Sequence, residues 1–252
     1  MSFEVSADAY ARFMGRFSEP LAARFADWSG VRAGQRALDV GCGPGALTAV
    51  LVERLGASAV AAVDPSESFV AAARARLPEV DVRRAPAEDL PYDSGSFDAV
   101  LAQLVVHFMS DAVAGLREMG RVVVPGGVVA ACVWDHAGGA GPLATFWDAV
   151  RSLDASAPDE SGLAGARAGH LAELATVAGL REVEDDLLTV TVGFASFDDW
   201  WEPYTLGVGP AGTHVAGLDP EGREQLRQRC RELLPEAPFE VTASAWTVRA
   251  RR

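Results

Sequence analysis

The chain has 252 residues, 49% of them hydrophobic, and a formal net charge of −13 with no lysine at all. That length allows one large α/β domain, or one domain with a cap, and enough apolar content for a sizeable core. The negative charge disfavours nucleic acids and anionic membrane surfaces as partners, the missing lysine excludes lysine Schiff-base chemistry, and no apolar run reaches the length of a membrane span.

The three cysteines, Cys42, Cys132 and Cys230, lie far apart and form no C-x-x-C pair, which reads as reduced, structural thiols. Met1-Ser2-Phe3-Glu4 lacks the basic and apolar regions of a secretory leader, so the expected location is cytoplasmic. No Cys/His cluster suggests a metal, and none is expected.

Residues 6–28 read as helical, with Ser6 as cap and a break at Gly15. Ser18-Glu19-Pro20 then reads as a second start, with Pro20 near the first turn. Leu21, Phe25 and Trp28 give this helix an apolar stripe, and Ser29-Gly30 ends it. Arg36–Val40 is a buried strand running into Gly41-Cys42-Gly43-Pro44-Gly45, and a helical pattern follows from Ala46 to Leu55. Glycines at alternate positions strip the turn of side chains, so the backbone can take positive φ and approach a ligand closely. The helix behind offers free N–H groups and a partial positive charge. The third glycine comes one residue too early for the dinucleotide fingerprint G-x-G-x-x-G, and the Gly-Lys-Ser/Thr of a P-loop is absent.

Ala59–Asp64 reads as a second strand ending in an acid about 20 residues beyond the turn, the spacing at which a carboxylate accepts both hydroxyls of a ribose. Pro65-Ser66 opens a helix to Leu77, Val80–Arg84 is a short third strand, Ala87–Tyr92 a loop and Phe97–Gln103 a fourth strand. A helix from Ser110-Asp111 to Val122 follows. Pro125-Gly126-Gly127 then reads as the turn into a fifth strand, Val128–Trp134. Residues 136–168 are irregular, with one helical pattern at Phe146–Leu153; a stretch of that length suggests a lid or binding loop. His170–Ala178 returns to helix with Gly179 as its cap. Leu187–Phe194 alternates like a strand, Phe197–Tyr204 is the most aromatic segment, Asp219 caps a helix to Leu233, and Phe239–Val248 is a last strand. There are no internal repeats.

The D-V-G-C-G-P-G turn resembles motif I of the class I S-adenosylmethionine-dependent methyltransferases. Leu90-Pro91-Tyr92, Ser96–Val100 and Val124–Val128 resemble later motifs of that superfamily in the right order, and Tyr10–Ser18 resembles the N-terminal lid helix of its small-molecule members. The resemblance implies an α/β, Rossmann-like, doubly wound seven-stranded sheet of order 3-2-1-4-5-7-6 with the last strand antiparallel. It implies one domain over 1–252, with a helical lid at 1–30 and cap segments at 136–168 and 197–218 shaping an acceptor pocket. The implied cofactor is S-adenosyl-L-methionine, leaving as S-adenosyl-L-homocysteine.

Carried over residue by residue, Gly41, Cys42 and Gly43 line the cofactor turn, Asp64 holds the ribose with Pro65 beside it, and Asp39 supports the methionine end or caps the loop's own N–H groups. Where the family usually has Gly-Asp-Ala, this chain has Ala85-Pro86-Ala87; Pro86 replaces the acid that takes the adenine amino group, leaving the Ala87 N–H and Glu88 as the adenine contacts. Gln103 closes the fourth strand. Leu104–Asp111 resembles the segment of plant-type O-methyltransferases whose histidine is the general base, and His107 matches it; the alternative is a histidine bonding its own helix start. Arg16 pairs with the cofactor carboxylate or is a surface charge, and Tyr10 covers the sulfonium or is a core aromatic.

Trp134, Phe146, Trp147, Trp200, Trp201 and Tyr204 are candidates for an aromatic acceptor pocket. Adjacent helix residues point apart, so one of Trp200 and Trp201 is expected to face the cleft. The expected reaction is methylation of a small, planar or apolar acceptor, O-methylation first, in secondary metabolism. The rivals are a cofactor-bound cyclase on the same fold and a non-catalytic cofactor-binding protein.

Overall fold

The computed structural model describes residues 7–157 and 160–252; Ser6, expected to cap the first helix, lies outside them. The strands are β1 (Ala37–Val40), β2 (Val60–Asp64), β3 (Asp81–Arg84), β4 (Phe97–Gln103), β5 (Val123–Trp134), β6 (Arg181–Phe194) and β7 (Phe239–Arg251). They form one sheet in the order β3-β2-β1-β4-β5-β7-β6. Strands β1 to β5 pair in parallel, and β7 runs antiparallel between β5 and β6. This is the expected topology.

The helices are α1 (Ala7–Tyr10), α2 (Arg16–Ser29), α3 (Ala46–Leu55), α4 (Glu67–Arg76), α5 (Ala112–Val122), α6 (Ala144–Leu153), α7 (His170–Val177), α8 (Phe197–Trp201), α9 (Gly209–Gly217) and α10 (Pro220–Leu233). The central strands are apolar on both faces because helices cover both. On one face, Leu21 and Phe25 of α2 and Leu47 and Leu51 of α3 pack over Ala37 and Leu101. On the other, Leu116 and Met119 of α5 and Leu171 of α7 pack over Leu38 and Val40.

Three expectations need correction. The N-terminal helix does not break at Gly15: α1 continues through a π turn, Ala11–Gly15, into α2, and Pro20 lies inside that helix. Phe13, Phe17, Leu21 and Phe25 are all buried at four-residue spacing, and that continuous stripe outweighs the roughly 1 kcal/mol cost of a helical glycine. Pro125-Gly126-Gly127 does not start the fifth strand; it is an irregularity within β5, where the pairing with β4 shifts register. The last two strands extend beyond their alternating cores to Arg181 and Arg251, because each continues the ladder of the other. Residues 209–217, within the cap segment expected at 197–218, form α9. A side chain at Gly212 would strike the Gly207 backbone at 2.6 Å, so the glycines that hide this helix from a propensity reading are what let it pack.

Candidate functional site

In an open doubly wound sheet, ligands bind beyond the carboxyl ends of the strands. Here β1 ends in an elbow whose Gly41, Gly43 and Gly45 all have positive φ, at 71°, 53° and 91°. The N–H groups of Gly41 and Cys42 both donate to the Val63 carbonyl, at 2.8 and 2.9 Å, which staples the elbow to β2. A Cβ on Gly41 would overlap Val105, whereas a Cβ on Gly43 would meet nothing within 4 Å. The elbow therefore packs tightly behind and opens in front.

Asp64 closes β2 and is 6% exposed. It accepts from the Gly43 N–H at 2.9 Å and from the Ser66 N–H at 2.8 Å. Burial raises its pKa, while those two bonds work the other way. A carboxylate accepts in about four directions, so these bonds aim the group without saturating it. Asp39 is fully buried beneath the elbow and accepts from Thr48 Oγ1 at 2.6 Å, while its Oδ1 has no hydrogen-bond partner. Burial pushes its pKa up to about 7. Cys42 is buried with its thiol pKa raised by the same desolvation.

The remaining residues named for the cofactor separate. Pro65 is exposed, with its carbonyl taken by Arg84, and Ala87 is buried. Glu88 accepts from the Ser110 and Asp111 N–H groups at 2.7 and 3.2 Å, so it already caps the approach to α5. Gln103 spends its amide N–H on the Ser18 carbonyl at 2.9 Å, tying α2 to the sheet, while its Oε1 has no hydrogen-bond partner. Tyr10 is half-buried, edge-on to Phe69; burial and the nearby Asp64 charge push its pKa up to about 12.

Arg16 departs from both readings. It is neither a loose surface charge nor turned to the elbow: it makes a bidentate pair with Asp199 at 2.8 and 3.2 Å, donates to the Gly193 carbonyl and lies over the Phe194 ring. Its guanidinium is engaged in joining α2 to the β6–α8 junction.

Beside the elbow lies an open hollow with about 470 Å³ of empty space, part of it continuous with solvent, lined among others by Tyr10, Met14, His107, Trp134, His136 and Glu160. The N-terminal helix, His136, Leu143 and Glu160, and the start of α9 all reach it. His107 follows Leu104, a non-glycine residue held at φ 61°, a conformation that costs on the order of 1–3 kcal/mol and recurs at functional sites. His107 is 9% exposed and its Nδ1 has no hydrogen-bond partner. Burial, with the neighbouring His136, lowers its pKa to about 3, so the imidazole is neutral. Its ring centre lies 5.8 Å from that of His136. Trp134 is 2% exposed, and its indole N–H also lacks a partner.

The expected aromatic pocket is only partly assembled. Trp134 lines the cavity. Trp147 lines a smaller neighbouring hollow and donates its indole N–H to Glu160 at 2.9 Å. Neither Trp200 nor Trp201 lines the main cavity: both are buried, and they pack with Tyr204 and Phe197. Tyr204 stacks on Phe146 with ring centres 4.6 Å apart. The paired tryptophans avoid the cleft because α8 is a single short helix with packed elements on both sides. Sequence reading missed His136 and Glu160. His136 stands just past the carboxyl end of β5, a position that could have flagged it; Glu160 sits in a stretch with no periodicity to mark it. Among the described residues no group of three or more His, Cys, Asp or Glu side chains is arranged to hold a metal, and no helix is long and apolar enough to cross a membrane.

The sheet order and the glycine elbow closed by Asp64 define a Rossmann-like, doubly wound α/β architecture. Residues 38–131 match the family model described as a methyltransferase domain. An uncharacterized methyltransferase of Mycobacterium tuberculosis is 41% identical over 127 residues, covering 50% of this chain and 49% of that one. The chain thus spans about half the length of that curated relative. The YcgJ protein of Bacillus subtilis shares the fold with a TM-score of 0.58 at 20% identity, over 93% of this chain and 97% of that one. The [4+2]-cyclase SpnF does so with a TM-score of 0.55 at 22% identity, over 92% and 80%. The part of the chain that these matches cover, residues 38–131, is similar to a methyltransferase domain.

Proposed function

We propose that the protein transfers a methyl group from S-adenosylmethionine to a small, largely apolar acceptor held in the cavity beside the elbow. The observation that carries this reading is the elbow itself: an open Gly43 whose N–H is held at 2.9 Å by a buried acid ending the next strand, adjoining an apolar cavity. A bare backbone turn next to a fixed carboxylate suits an adenosyl group. Gly41, Cys42 and Gly43 would face it, Asp64 would take the ribose hydroxyls, Asp39 would support the amino acid end, and the Ala87 N–H would meet the adenine. Bound there, the cofactor supplies an already activated electrophilic methyl group.

The protein's own contribution is alignment and exclusion of water. Holding a nucleophile in a near-attack pose supplies roughly 7–11 kcal/mol. The neutral His107 ring lines the pocket and its buried Nδ1 has no hydrogen-bond partner, which suits it to orienting an acceptor hydroxyl; O-methylation is accordingly the first reading. Because burial disfavours the imidazolium, His107 accepts a proton only as the acceptor gives it up. The N-terminal helix and the 136–168 and 197–218 segments act as lids over the acceptor. Calorimetry with S-adenosylhomocysteine tests the cofactor assignment: wild type binds it and Asp64→Ala weakens it at least tenfold. Failure of wild type to bind, or unchanged binding by the variant, refutes it.

A cyclisation on the same fold is the second reading. It is favoured by one observation, the apolar cavity whose histidine is held neutral. Mass spectrometry of the product separates the two, since only transfer adds a methyl carbon.

A further inference from the structure

We propose that Trp134 is the second contact of the acceptor oxygen, so that the site selects a hydroxyl group on an otherwise apolar compound, a phenol or an alcohol, over an amine or a carboxylate. This deepens the methyltransferase reading of the same hollow and rests on it. Trp134 ends β5, and His107 follows the end of β4. These strands are neighbours in the sheet, and Leu104 donates its N–H across to the Cys132 carbonyl at 2.9 Å. Both side chains line the open hollow. Trp134 is 2% exposed, and its ring stands edge-on to Phe17 with centres 6.3 Å apart, so packing fixes the indole in place.

The Trp134 indole N–H is buried without a hydrogen-bond partner, and so is Nδ1 of His107. An indole N–H can only donate, and a buried donor left unpaired costs about 1–3 kcal/mol. Two other indoles of the chain do find carboxylates: Trp147 donates to Glu160 at 2.9 Å and Trp28 to Asp186 at 3.2 Å. Burial keeps His107 neutral, so with its hydrogen on Nε2 it presents Nδ1 as an acceptor. The wall therefore holds one donor and one acceptor without partners among the described residues. A hydroxyl group donates once and accepts twice: its hydrogen goes to His107, one lone pair to Trp134, and the other stays free to react. An ammonium has no lone pair for the indole, and a carboxylate has no hydrogen for the imidazole. Phe13, Met14, Phe108, Leu143 and Val208 of the same hollow offer apolar contact, which suits a hydrocarbon body.

The test compares p-cresol with p-xylene, which share a shape and differ in a hydroxyl or a methyl group. A phenol stays neutral at neutral pH. Binding of each is measured by calorimetry with S-adenosylhomocysteine present, to wild type and to Trp134→Phe, which keeps an aromatic ring and removes the N–H. Wild type is expected to bind p-cresol at least about tenfold more tightly than p-xylene. The variant is expected to lose at least about fivefold of that preference while its affinity for p-xylene stays within about twofold. Equal affinities in wild type, binding of neither compound, or a preference that survives in the variant overturns the proposal. So does an equal fall for both compounds, because Trp134 then serves packing alone. Should the variant not fold, nuclear magnetic resonance of wild type decides: the Trp134 indole proton shifts downfield with p-cresol and not with p-xylene, and the same shift with both, or with neither, overturns the proposal. Binding of S-adenosylhomocysteine in the same samples is a separate readout: if it is intact while the hydroxyl preference is absent, the Trp134 assignment falls and the methyltransferase reading stands; if it is absent too, that reading falls as well.

Discussion

Replacing Gly41 by alanine tests why the elbow is built from glycine. Its φ of 71° lies in the left-handed region, where an L side chain costs about 1–2 kcal/mol. The new Cβ would overlap Val105 Cγ2 and come within 2.6 Å of Cγ1 and 3.0 Å of Cβ. Valine is stiff at χ1 and cannot swing clear, so overpacking adds about 1–3 kcal/mol. The expected destabilisation is roughly 2–5 kcal/mol, read from urea unfolding. The two causes separate in a double-mutant cycle. In Gly41→Ala/Val105→Ala the two methyl clashes are gone and the backbone cost remains with the 3.0 Å approach to the Cβ of residue 105, so the pair should show a favourable coupling of about 1–3 kcal/mol. A single variant within about 0.5 kcal/mol of wild type, or a coupling near zero, refutes the packing argument. Affinity for S-adenosylhomocysteine should fall in the single variant and recover in part in the double one, because Val105 leads directly into the His107 turn.

Asp39→Asn keeps an acceptor for Thr48 and removes a titration. Because the buried Asp39 holds its proton up to about 7 while the unfolded chain releases it near 4, the folded state binds the extra proton in that window. Wild-type stability therefore falls as pH rises from about 4 to 7. The variant should lack that loss, worth at most about 4 kcal/mol; an unchanged pH slope of the urea midpoint counts against it. His107 has the opposite sign. Its folded pKa of about 3 lies below the unfolded value, so stability rises with pH between about 3 and 6.5 and is flat above. His107→Gln should lose that acid sensitivity, and the wild-type kcat/KM profile should show no His107 limb near pH 6.5. Arg16→Ala and Asp199→Ala should couple by no more than about 1 kcal/mol, since both side chains are about a third exposed and screened by solvent. A coupling of zero by chemical denaturation would remove the pair as a fastening between α2 and the β6–α8 junction.

Much of this protein is local physics and was legible in its residues. The elbow could be recognised because only glycine tolerates positive φ at 41, 43 and 45, and because an apolar strand before it and a helical pattern after it leave one supersecondary unit that fits. Asp64 was legible from spacing, since a strand of five residues ends where the elbow must be met. β1 to β4 and the caps Ser66, Asp111 and Asp219 follow from hydrophobic period and short polar side chains that accept from nearby N–H groups.

What the tertiary structure alone decided involves partners far apart in the chain. Arg16 could not be assigned from its neighbours, because the carboxylate it meets lies 183 residues away. Glu160 had no pattern to announce it; only the fold brings it to the Trp147 indole and to a hollow shared with His107 and His136. The paired tryptophans illustrate the same limit in reverse. Helix geometry says that Trp200 and Trp201 point apart, but only the packing of Tyr204, Phe197 and Phe146 shows that both directions lead into protein interior. Periodicity and turn chemistry depend on residues a few positions away, and those the chain carries in order. Burial and ion pairing depend on which distant surfaces close upon each other, and only the folded molecule settles that.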